Sequence, residues 1–128
     1  MTNTLEFLKC KKCGNVVEKV VKSTGTLLCC GEEMKVMKAN STDAAGEKHV
    51  PVVEVNGNKV VVKVGSVEHP MTEEHLINFI VLKTEKTVQR VDLTSTDKPV
   101  AEFTLADDDK ALVAYEYCNL HGLWCKEI

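Results

Sequence analysis

No part of this sequence is apolar for long enough to cross a bilayer. The longest apolar run, LINFIVL at residues 76–82, has seven residues and includes Asn78, whereas a membrane-spanning helix needs about 20. An excess of positive charge is also missing, because 16 Lys and Arg residues face 19 Asp and Glu residues and the formal net charge is −3. Nucleic-acid-binding proteins usually carry a basic surface, so this function class receives no support.

A secretory signal and internal repeats are absent as well. The start of the chain, MTNTLEFLK, lacks the basic start and the continuous apolar core of a signal peptide, so we expect a cytoplasmic protein. With 44% hydrophobic and 27% charged residues, the composition is typical of a globular protein rather than a disordered one. The 128 residues suffice for one domain, or for a small domain followed by a medium one.

Cysteines are plentiful by contrast, and four of the six fall within the first 38 residues. They form two pairs, Cys10 with Cys13 in CKKC and Cys29 with Cys30 in CC. Because the cytoplasm keeps thiols reduced, metal ligation is favoured over structural disulfides. The 15 intervening residues, GNVVEKVVKSTGTLL, predict a hairpin-like segment with turns at its glycines. A segment this small buries little core, and a metal ion is a natural way to stabilise it.

Four thiolates suit zinc or iron in a tetrahedral field. A structural zinc ribbon and a redox-active disulfide are the alternatives. Zinc ribbons usually have two spaced CxxC pairs, whereas Cys29 and Cys30 are adjacent. Adjacent ligands should distort the tetrahedron, which favours iron without identifying it.

Residues 39–48 are polar and predict a linker followed by a loop. The rest of the chain shows a succession of short strand patterns, with alternating apolar and polar residues in NKVVVKV and TVQRVDLT. The other strand patterns are VPVVEV, LINFIVLKT, VAEFTL and ALVAYEY. Six or seven such strands, separated by turn-rich pieces such as STDKP and ADDDK and without a long helix, predict a β-sandwich.

The chain has only four histidines, and each lies in a segment typical of a loop or a strand end. They are His49 in GEKHVP, His69 and His75 in HPMTEEH, and His121, three residues after Cys118, in CNLHG. Each histidine alone is more simply explained as a solvated side chain, and Cys118 as a small buried apolar one. Together they predict one metal centre, because HPMTEEH can turn two imidazoles towards one ion and the CxxH spacing brings a thiolate beside an imidazole.

Five protein ligands exceed the four that zinc prefers. They fit a square pyramid with four neutral imidazoles in the plane, the Cys118 thiolate on the axis and an open sixth position. Iron tolerates this geometry, and an electron-rich thiolate favours reduction of a small oxygen species bound opposite it. Lys48, next to His49, would attract a small anion, and Glu47 is a potential oxygen ligand. Taken alone, GEKH is better explained as a solvated loop.

In their order along the chain, CKKC, CC, GEKHVP, HPMTEEH and CNLHGLW resemble the motifs of desulfoferrodoxins, the two-iron form of superoxide reductase. The resemblance implies a desulforedoxin-like domain over residues 1–37 and an immunoglobulin-like, seven-stranded β-sandwich over residues 38–128. It also implies two iron ions per chain. One would be held by Cys10, Cys13, Cys29 and Cys30, and the catalytic one by His49, His69, His75, His121 and axial Cys118.

The same resemblance implies reduction of superoxide to hydrogen peroxide without evolution of oxygen, with electrons from rubredoxin-type donors. Lys48 would attract the anion and help organise protonating water, and Glu47 would become a sixth ligand after peroxide leaves. Members of this family are typically cytoplasmic homodimers. Cys125 has no place in either site. A pure electron carrier and a zinc-stabilised interaction module are the alternatives, and neither needs five ligands with a lysine nearby.

Overall fold

The computed structural model describes residues 4–128, in which the regular elements are twelve β-strands and one short helix. The chain divides into two compact units, Met1–Lys38 and Ala39–Ile128. Within residues 4–128, no helix has the length and apolar character needed to cross a membrane. The described elements, in chain order, are β1 (Phe7–Lys9), β2 (Val16–Glu18), β3 (Leu28–Cys29), β4 (Glu32–Glu33), β5 (Lys35–Val36), α1 (Gly46–His49), β6 (Pro51–Asn56), β7 (Lys59–Val64), β8 (Ile77–Thr84), β9 (Val88–Asp92), β10 (Val100–Thr104), β11 (Ala111–Cys118) and β12 (Gly122–Glu127).

The first unit contains a three-stranded antiparallel sheet in the order β2-β1-β5 and a short hairpin of β3 and β4. Its buried cluster is small and consists of Leu8, Cys10 and Met34, with Cys29 packed against it. Two of these four residues are cysteines predicted to bind metal. The buried cluster of this unit and its candidate metal site therefore share two residues, Cys10 and Cys29.

The hairpin of the first unit differs from the one predicted between the two cysteine pairs. β2 pairs with β1, so the turn of the hairpin is CKKC itself. The Cys10 N–H donates to the Asn15 carbonyl at 2.9 Å and the Gly14 N–H donates to the Cys10 carbonyl at 3.0 Å, and these bonds bring the chain straight back onto β1. Val20 and Val21 lie outside the strands, and each is 83% exposed.

The second unit consists of two antiparallel sheets, one in the order β10-β7-β6 and one in the order β12-β11-β8-β9. Their seven strands confirm the predicted seven-stranded β-sandwich. The buried cluster between the sheets consists of Val60, Val62, Val64, Ile77, Ile80, Leu82, Ala101, Phe103, Leu105, Ala111, Ala114 and Cys118.

Strand β7 shows how the alternating pattern builds this core. Val60, Val62 and Val64 are at most 1% exposed, and Lys59 and Lys63 between and beside them face solvent. Side chains two apart in a strand share a face, so one face of β7 is entirely apolar. Burying each valine contributes about 1.5–3 kcal/mol relative to leaving it exposed.

Two elements of the second unit differ from the expectations. Residues 46–49, predicted as loop, form the single helical turn α1. Strand β12 is not predicted by alternation, because its neighbouring residues Leu123 and Trp124 are both buried. It pairs with β11 in a hairpin that places Cys118 opposite Gly122.

Candidate metal centres

Five side chains of the second unit bring their donor atoms within 4.8 Å of one another, and they are His49, His69, His75, Cys118 and His121. His49 is the last residue of α1, and His69 and His75 lie between β7 and β8. Cys118 ends β11, and His121 lies in the turn before β12. These are the five residues that the sequence predicts as one centre.

Strand register explains why such distant segments meet. Pro51, at the start of β6, is opposite Val64 at the end of β7. Cys118 is opposite both Ile77, which begins β8, and Gly122, which begins β12. The loops attached to these strand ends therefore emerge at one end of the sandwich.

The four imidazoles form a closed ring of edge-to-face neighbours. The ring centroids are 4.7 Å apart for His49 and His69, 4.6 Å for His69 and His75, 5.1 Å for His75 and His121, and 4.8 Å for His121 and His49. The planes of neighbouring rings cross at 77° to 89°. Each imidazole thus occupies one corner of a square, with His49 opposite His75 and His69 opposite His121.

The spacing of donor atoms matches the coordination of one ion. The Nε2 atom of His49 is 3.2 Å from His69 Nε2 and 3.1 Å from His121 Nδ1. Metal–nitrogen bonds of about 2.0–2.1 Å at right angles would place neighbouring nitrogens about 3 Å apart. His121 therefore faces the centre with Nδ1, whereas His49 and His69 face it with Nε2.

The Cys118 sulfur lies off the plane of this square. It is 3.5 Å from His69 Nε2 and 3.8 Å from His121 Nδ1, and these two imidazoles occupy opposite corners. An atom close to two opposite corners lies near the axis through the centre of the square. The His121 backbone N–H lies 3.4 Å from the same sulfur and donates to it. The five donors therefore have the arrangement of a square pyramid.

Backbone carbonyls orient two of the imidazoles. His49 Nδ1 is 2.8 Å from the Ala45 carbonyl oxygen, and His69 Nδ1 is 2.7 Å from the Pro70 carbonyl oxygen. Because a carbonyl can only accept a hydrogen bond, each Nδ1 carries the proton. The Nε2 lone pairs are then directed at the centre of the site, where they could coordinate a metal ion.

One atom of the site has no partner of its own. His75 Nε2 is buried and has no hydrogen-bond partner among residues 4–128, a state that costs about 1–3 kcal/mol. Burial lowers the pKa of His49 and His75, and it lowers the pKa of His69 to about 4. The imidazoles of His49, His69 and His75 are therefore neutral at pH 7, as metal ligation requires, and the residues present fit an iron ion with five protein ligands.

Asn119 connects two of the ligand-bearing loops. Its Oδ1 accepts the Leu76 N–H at 3.0 Å, and its Nδ2 donates to the Glu74 carbonyl at 2.9 Å. The residue next to Cys118 thereby holds the backbone on both sides of His75. In the sequence, only its place in CNLHGLW points to this role.

Trp124 supports two other ligands, His49 and His121. Its ring stacks on His49 with centroids 5.0 Å apart, and its Nε1 donates to the His121 carbonyl at 3.1 Å. Indole rings pack with a large apolar area and usually find a partner for their N–H when buried. Trp124 lies in the motif CNLHGLW, but the spacing of the metal ligands in that motif does not indicate a role for it.

A buried carboxyl also belongs to β11, the strand that ends at Cys118. Glu116 is two residues before Cys118 on the same face of β11, and it is fully buried. Neither carboxyl oxygen has a hydrogen-bond partner among residues 4–128. Burial raises the pKa of Glu116 to about 9, so the group is neutral at pH 7. A glutamate inside the apolar run ALVAYEYC is the sequence signal that points to it.

Lys48 and Glu47 immediately precede His49 on α1, and both are exposed. Lys48 and His69 line the same open cavity of about 450 Å³. Glu47 lines a different open cavity, of about 530 Å³. The lysine is therefore beside the square of imidazoles, and the glutamate is on the adjoining surface.

Four thiols of the first unit form the second group of donors, also within 4.8 Å of one another, and they are Cys10, Cys13, Cys29 and Cys30. The sulfur of Cys29 is 3.6 Å from that of Cys13 and 4.0 Å from that of Cys30. Metal–sulfur bonds of about 2.3 Å in a tetrahedron would separate the sulfurs by about 3.8 Å. All four thiols are free in this structure.

The adjacent pair needs an unusual backbone conformation. Neighbouring side chains in extended chain point in opposite directions, yet Cys29 and Cys30 face one point. Cys30 has a φ of +54° and Gly31 follows with a φ of +76°. The left-handed conformation costs a non-glycine residue about 1–2 kcal/mol, so bringing both sulfurs to one ion carries a local backbone cost.

The thiols of this group differ in how readily they ionise. The Cys13 N–H donates to the Cys10 sulfur at 3.5 Å and lowers the pKa of Cys10 to about 6. Hydrogen bonding among the thiols, from Cys13 above all, raises the pKa of Cys30 to about 12. The Cys10 thiol therefore ionises readily, whereas ionisation of the Cys30 thiol is disfavoured. A metal ion removes this opposition by neutralising the charge, so this group also fits iron.

Comparison with known proteins divides the chain in a similar way. Residues 2–37 match the family model described as the N-terminal domain of desulfoferrodoxin, and residues 41–127 match the desulfoferrodoxin model. A desulfoferrodoxin homolog of Archaeoglobus fulgidus is 50% identical over 124 residues, which cover 97% of this chain and 98% of that protein. A desulfoferrodoxin of Nitratidesulfovibrio vulgaris is 48% identical over 127 residues, 99% of each chain.

Solved structures show the same likeness. The superoxide reductase from Treponema pallidum superposes with a TM-score of 0.82 at 41% identity and covers 97% of this chain and 99% of its own. The one-iron superoxide reductase from Giardia intestinalis superposes with a TM-score of 0.58 at 34% identity, over 64% of this chain and 97% of its own. With both family models matched and full-length relatives near half identity, this chain belongs to the desulfoferrodoxin family.

Proposed function

We propose that this protein is a superoxide reductase, which transfers one electron to superoxide and forms hydrogen peroxide without evolving oxygen. The observation that carries the proposal is the square of four imidazoles with the Cys118 sulfur off its plane. Five donors are one fewer than an octahedral ion takes, so this chain's ligand set leaves room for a small molecule. The relatives named superoxide reductase support the same activity.

Ferrous iron supplies the electron when it is bound in this site. The chain supplies the geometry: the Ala45 and Pro70 carbonyls keep the lone pairs of His49 and His69 directed inwards. Burial of the ligands limits the access of water to their inner side. The thiolate of Cys118 would make a bound iron electron-rich, which favours transfer of an electron to a small oxygen species.

Lys48 attracts the superoxide anion and holds the water that delivers protons to the product. Its exposed ammonium lies beside His49, and it shares a cavity with His69. A cation at the edge of a buried site raises the local concentration of small anions. Glu47 would supply a further oxygen ligand to a bound iron once the product has left, and because it lines a different cavity, its side chain would have to turn towards His49 to do so.

We also propose a rubredoxin-type electron donor, a homodimer and a cytoplasmic location, with residues 1–37 and 38–128 acting as separate domains. The first unit exposes large apolar side chains that a second copy could cover, including Val20 and Val21 at 83% and Leu28 at 69%. Thiolate ligation in both sites suits a reducing compartment. Sedimentation of the iron-loaded protein tests the dimer, and reduction of its visible bands by rubredoxin tests the donor.

The activity is tested by the yield of peroxide. Iron-loaded protein, kept reduced by a chemical donor, is given superoxide, and peroxide and oxygen are both measured. Reduction gives one peroxide for each superoxide consumed and no oxygen, whereas dismutation gives half as much peroxide together with oxygen. Metal analysis accompanies the assay, because colourless protein with two zinc ions and no activity would overturn the proposal.

A further inference from the structure

The backbone of α1 is in close contact with the turn at residues 64–67, and Gly65 lies at the point of contact. A Cβ atom at Gly65 would lie 2.7 Å from the Glu47 carbonyl oxygen, 3.0 Å from the Lys48 carbonyl carbon and 3.1 Å from the backbone nitrogen of His49. All three are backbone atoms, which cannot rotate aside as the end of a flexible side chain can. A methyl group at Gly65 therefore requires α1 or the turn to move.

Hydrogen bonds from the turn fasten the same part of α1. In a continuing helix the Glu47 carbonyl would accept the N–H of residue 51, but Pro51 has no N–H. The Val67 N–H donates to this carbonyl at 2.9 Å, and the Ser66 hydroxyl donates to it at 3.2 Å. Both donors come from the residues that follow Gly65, so they reach the carbonyl only if the turn lies close to α1.

The short helix depends on this support. It has four residues, and Ala45 at its N-cap provides no side-chain hydrogen bond. Helices of this length are not stable alone. The same turn also holds a second ligand, because the Val64 carbonyl accepts the His69 N–H at 3.0 Å. The turn is therefore bonded to the backbone near His49 and to that of His69.

We propose that Gly65 is a positioning residue for the metal centre. Its missing side chain lets the turn at residues 64–67 hold the backbone of Glu47, Lys48 and His49, and this contact determines where the His49 imidazole and the Lys48 ammonium lie. The part that concerns Lys48 rests on the proposed function. The part that concerns His49 does not.

The experiment replaces Gly65 by alanine in the full-length, iron-loaded protein. Hydrogen exchange at the Val67 amide should be about tenfold faster or more, because its bond to Glu47 is opened. The visible thiolate-to-iron band should shift as His49 moves. Superoxide consumption should be slower and should lose part of its dependence on ionic strength, because the Lys48 charge is displaced.

Gly46→Ala is the matched control. It adds the same methyl group to α1 itself, where a Cβ would meet nothing within 4 Å, and it should leave the exchange rate and the visible band as they are in the wild type. Ser66→Ala is the second variant, for use also if Gly65→Ala does not fold. It removes one of the two donors without adding atoms, and it should speed exchange at Val67 by about two- to fivefold.

The outcomes separate the inference from the proposed function. Wild-type exchange at Val67 in both Gly65→Ala and Ser66→Ala would show that the turn does not hold α1. Faster exchange with an unshifted visible band would show that the contact does not position His49. If the wild-type protein does not reduce superoxide at all, the proposed function fails, and exchange and spectrum still decide the role of Gly65.

Discussion

The two metal sites lie in very different surroundings. In the first unit Cys13 and Cys30 are exposed, and the ligand Cys10 is itself a member of the small buried cluster. In the second unit His49 and His69 are at most 2% exposed, and the sandwich has a large apolar core of its own. A ligand cysteine is thus one of three buried residues in the cluster of the first unit, and one of twelve in the cluster of the second.

The two units also differ in charge. The first 38 residues hold seven of the 16 basic residues and four of the 19 acidic ones, a formal charge of +3, so the other 90 carry −6. Superoxide is an anion, and its proposed site lies in the acidic unit. Approach to that site must therefore depend on local positive charge rather than on the charge of the unit as a whole.

Removal of both irons should give the largest difference between the units. The amides of β1 and β2 should exchange roughly a hundredfold faster or more after chelation, because the first unit loses the centre of its core. The amides of β7, β8 and β11 should stay protected by the apolar sandwich. Exchange measured by mass spectrometry before and after chelation gives the comparison, and equal loss of protection in both units would contradict it.

Loss of one thiol from each site should separate their roles. Cys118→Ser should abolish the thiolate-to-iron band of the second site and slow superoxide consumption by about 10- to 100-fold or more, since even changes behind metal ligands have effects of that size. Cys13→Ser should disturb the first iron and leave superoxide reduction largely intact. Absorption spectra, iron content and rapid-mixing kinetics measure both. If Cys13→Ser loses activity with the second iron still bound, the roles are not separate.

Removal of the lysine charge should have an intermediate effect. Lys48→Met should slow superoxide consumption by about tenfold at low ionic strength, and by less as salt screens the charge. Lys98→Met is the control, because Lys98 lines the same cavity as Lys48 but does not adjoin a ligand in sequence. Rates are measured over a series of salt concentrations. Equal slopes for the wild type and Lys48→Met would remove Lys48 from the mechanism.

The smallest effect concerns a part of the sandwich that needs no metal. The Thr84 hydroxyl, 2.6 Å from Asp109, and backbone N–H groups nearby lower the pKa of Asp109 below its usual 3.8. The folded state therefore holds the proton less tightly than the unfolded state does. This stabilisation is present above pH 3.8 and is lost as pH falls through the folded pKa.

Asp109→Asn should accordingly lower the thermal midpoint slightly at neutral pH, and its difference from the wild type should shrink in acid. Thermal unfolding followed by circular dichroism over a pH series measures this difference. Asp43→Asn, at an exposed position, is the control and should show no such trend. A difference that grows in acid would mean that the sign is wrong.

Sequence patterns predicted the ligands of both sites and most of the sandwich, because both depend on local spacing. CxxC, CxxH and HPMTEEH specify pairs of donors, and period-two alternation specifies strands with one buried face. Strand β12 escapes this pattern because Leu123 and Trp124 are both buried. The valines at positions 20 and 21 look like strand residues, but the pairing of β2 with β1 leaves them outside the sheet.

Long-range contacts are the part that spacing cannot predict. The square of imidazoles depends on register, such as Cys118 opposite both Ile77 and Gly122. The bond from the Val67 N–H to the Glu47 carbonyl joins residues 20 positions apart, and nothing in either segment indicates it. The same holds for Asn119 as a link between loops, which becomes visible only when both loops are in place.

The main-chain acceptors behind His49 and His69 also determine the electrical character of the centre. Ala45 and Pro70 offer neutral carbonyls where many metalloproteins use carboxylates. With four uncharged imidazoles and a single thiolate, a ferrous complex here would have a formal charge of +1, so an approaching anion would meet no net repulsion from the complex. Since each acceptor belongs to the peptide backbone, replacing the side chain at position 45 leaves this balance untouched.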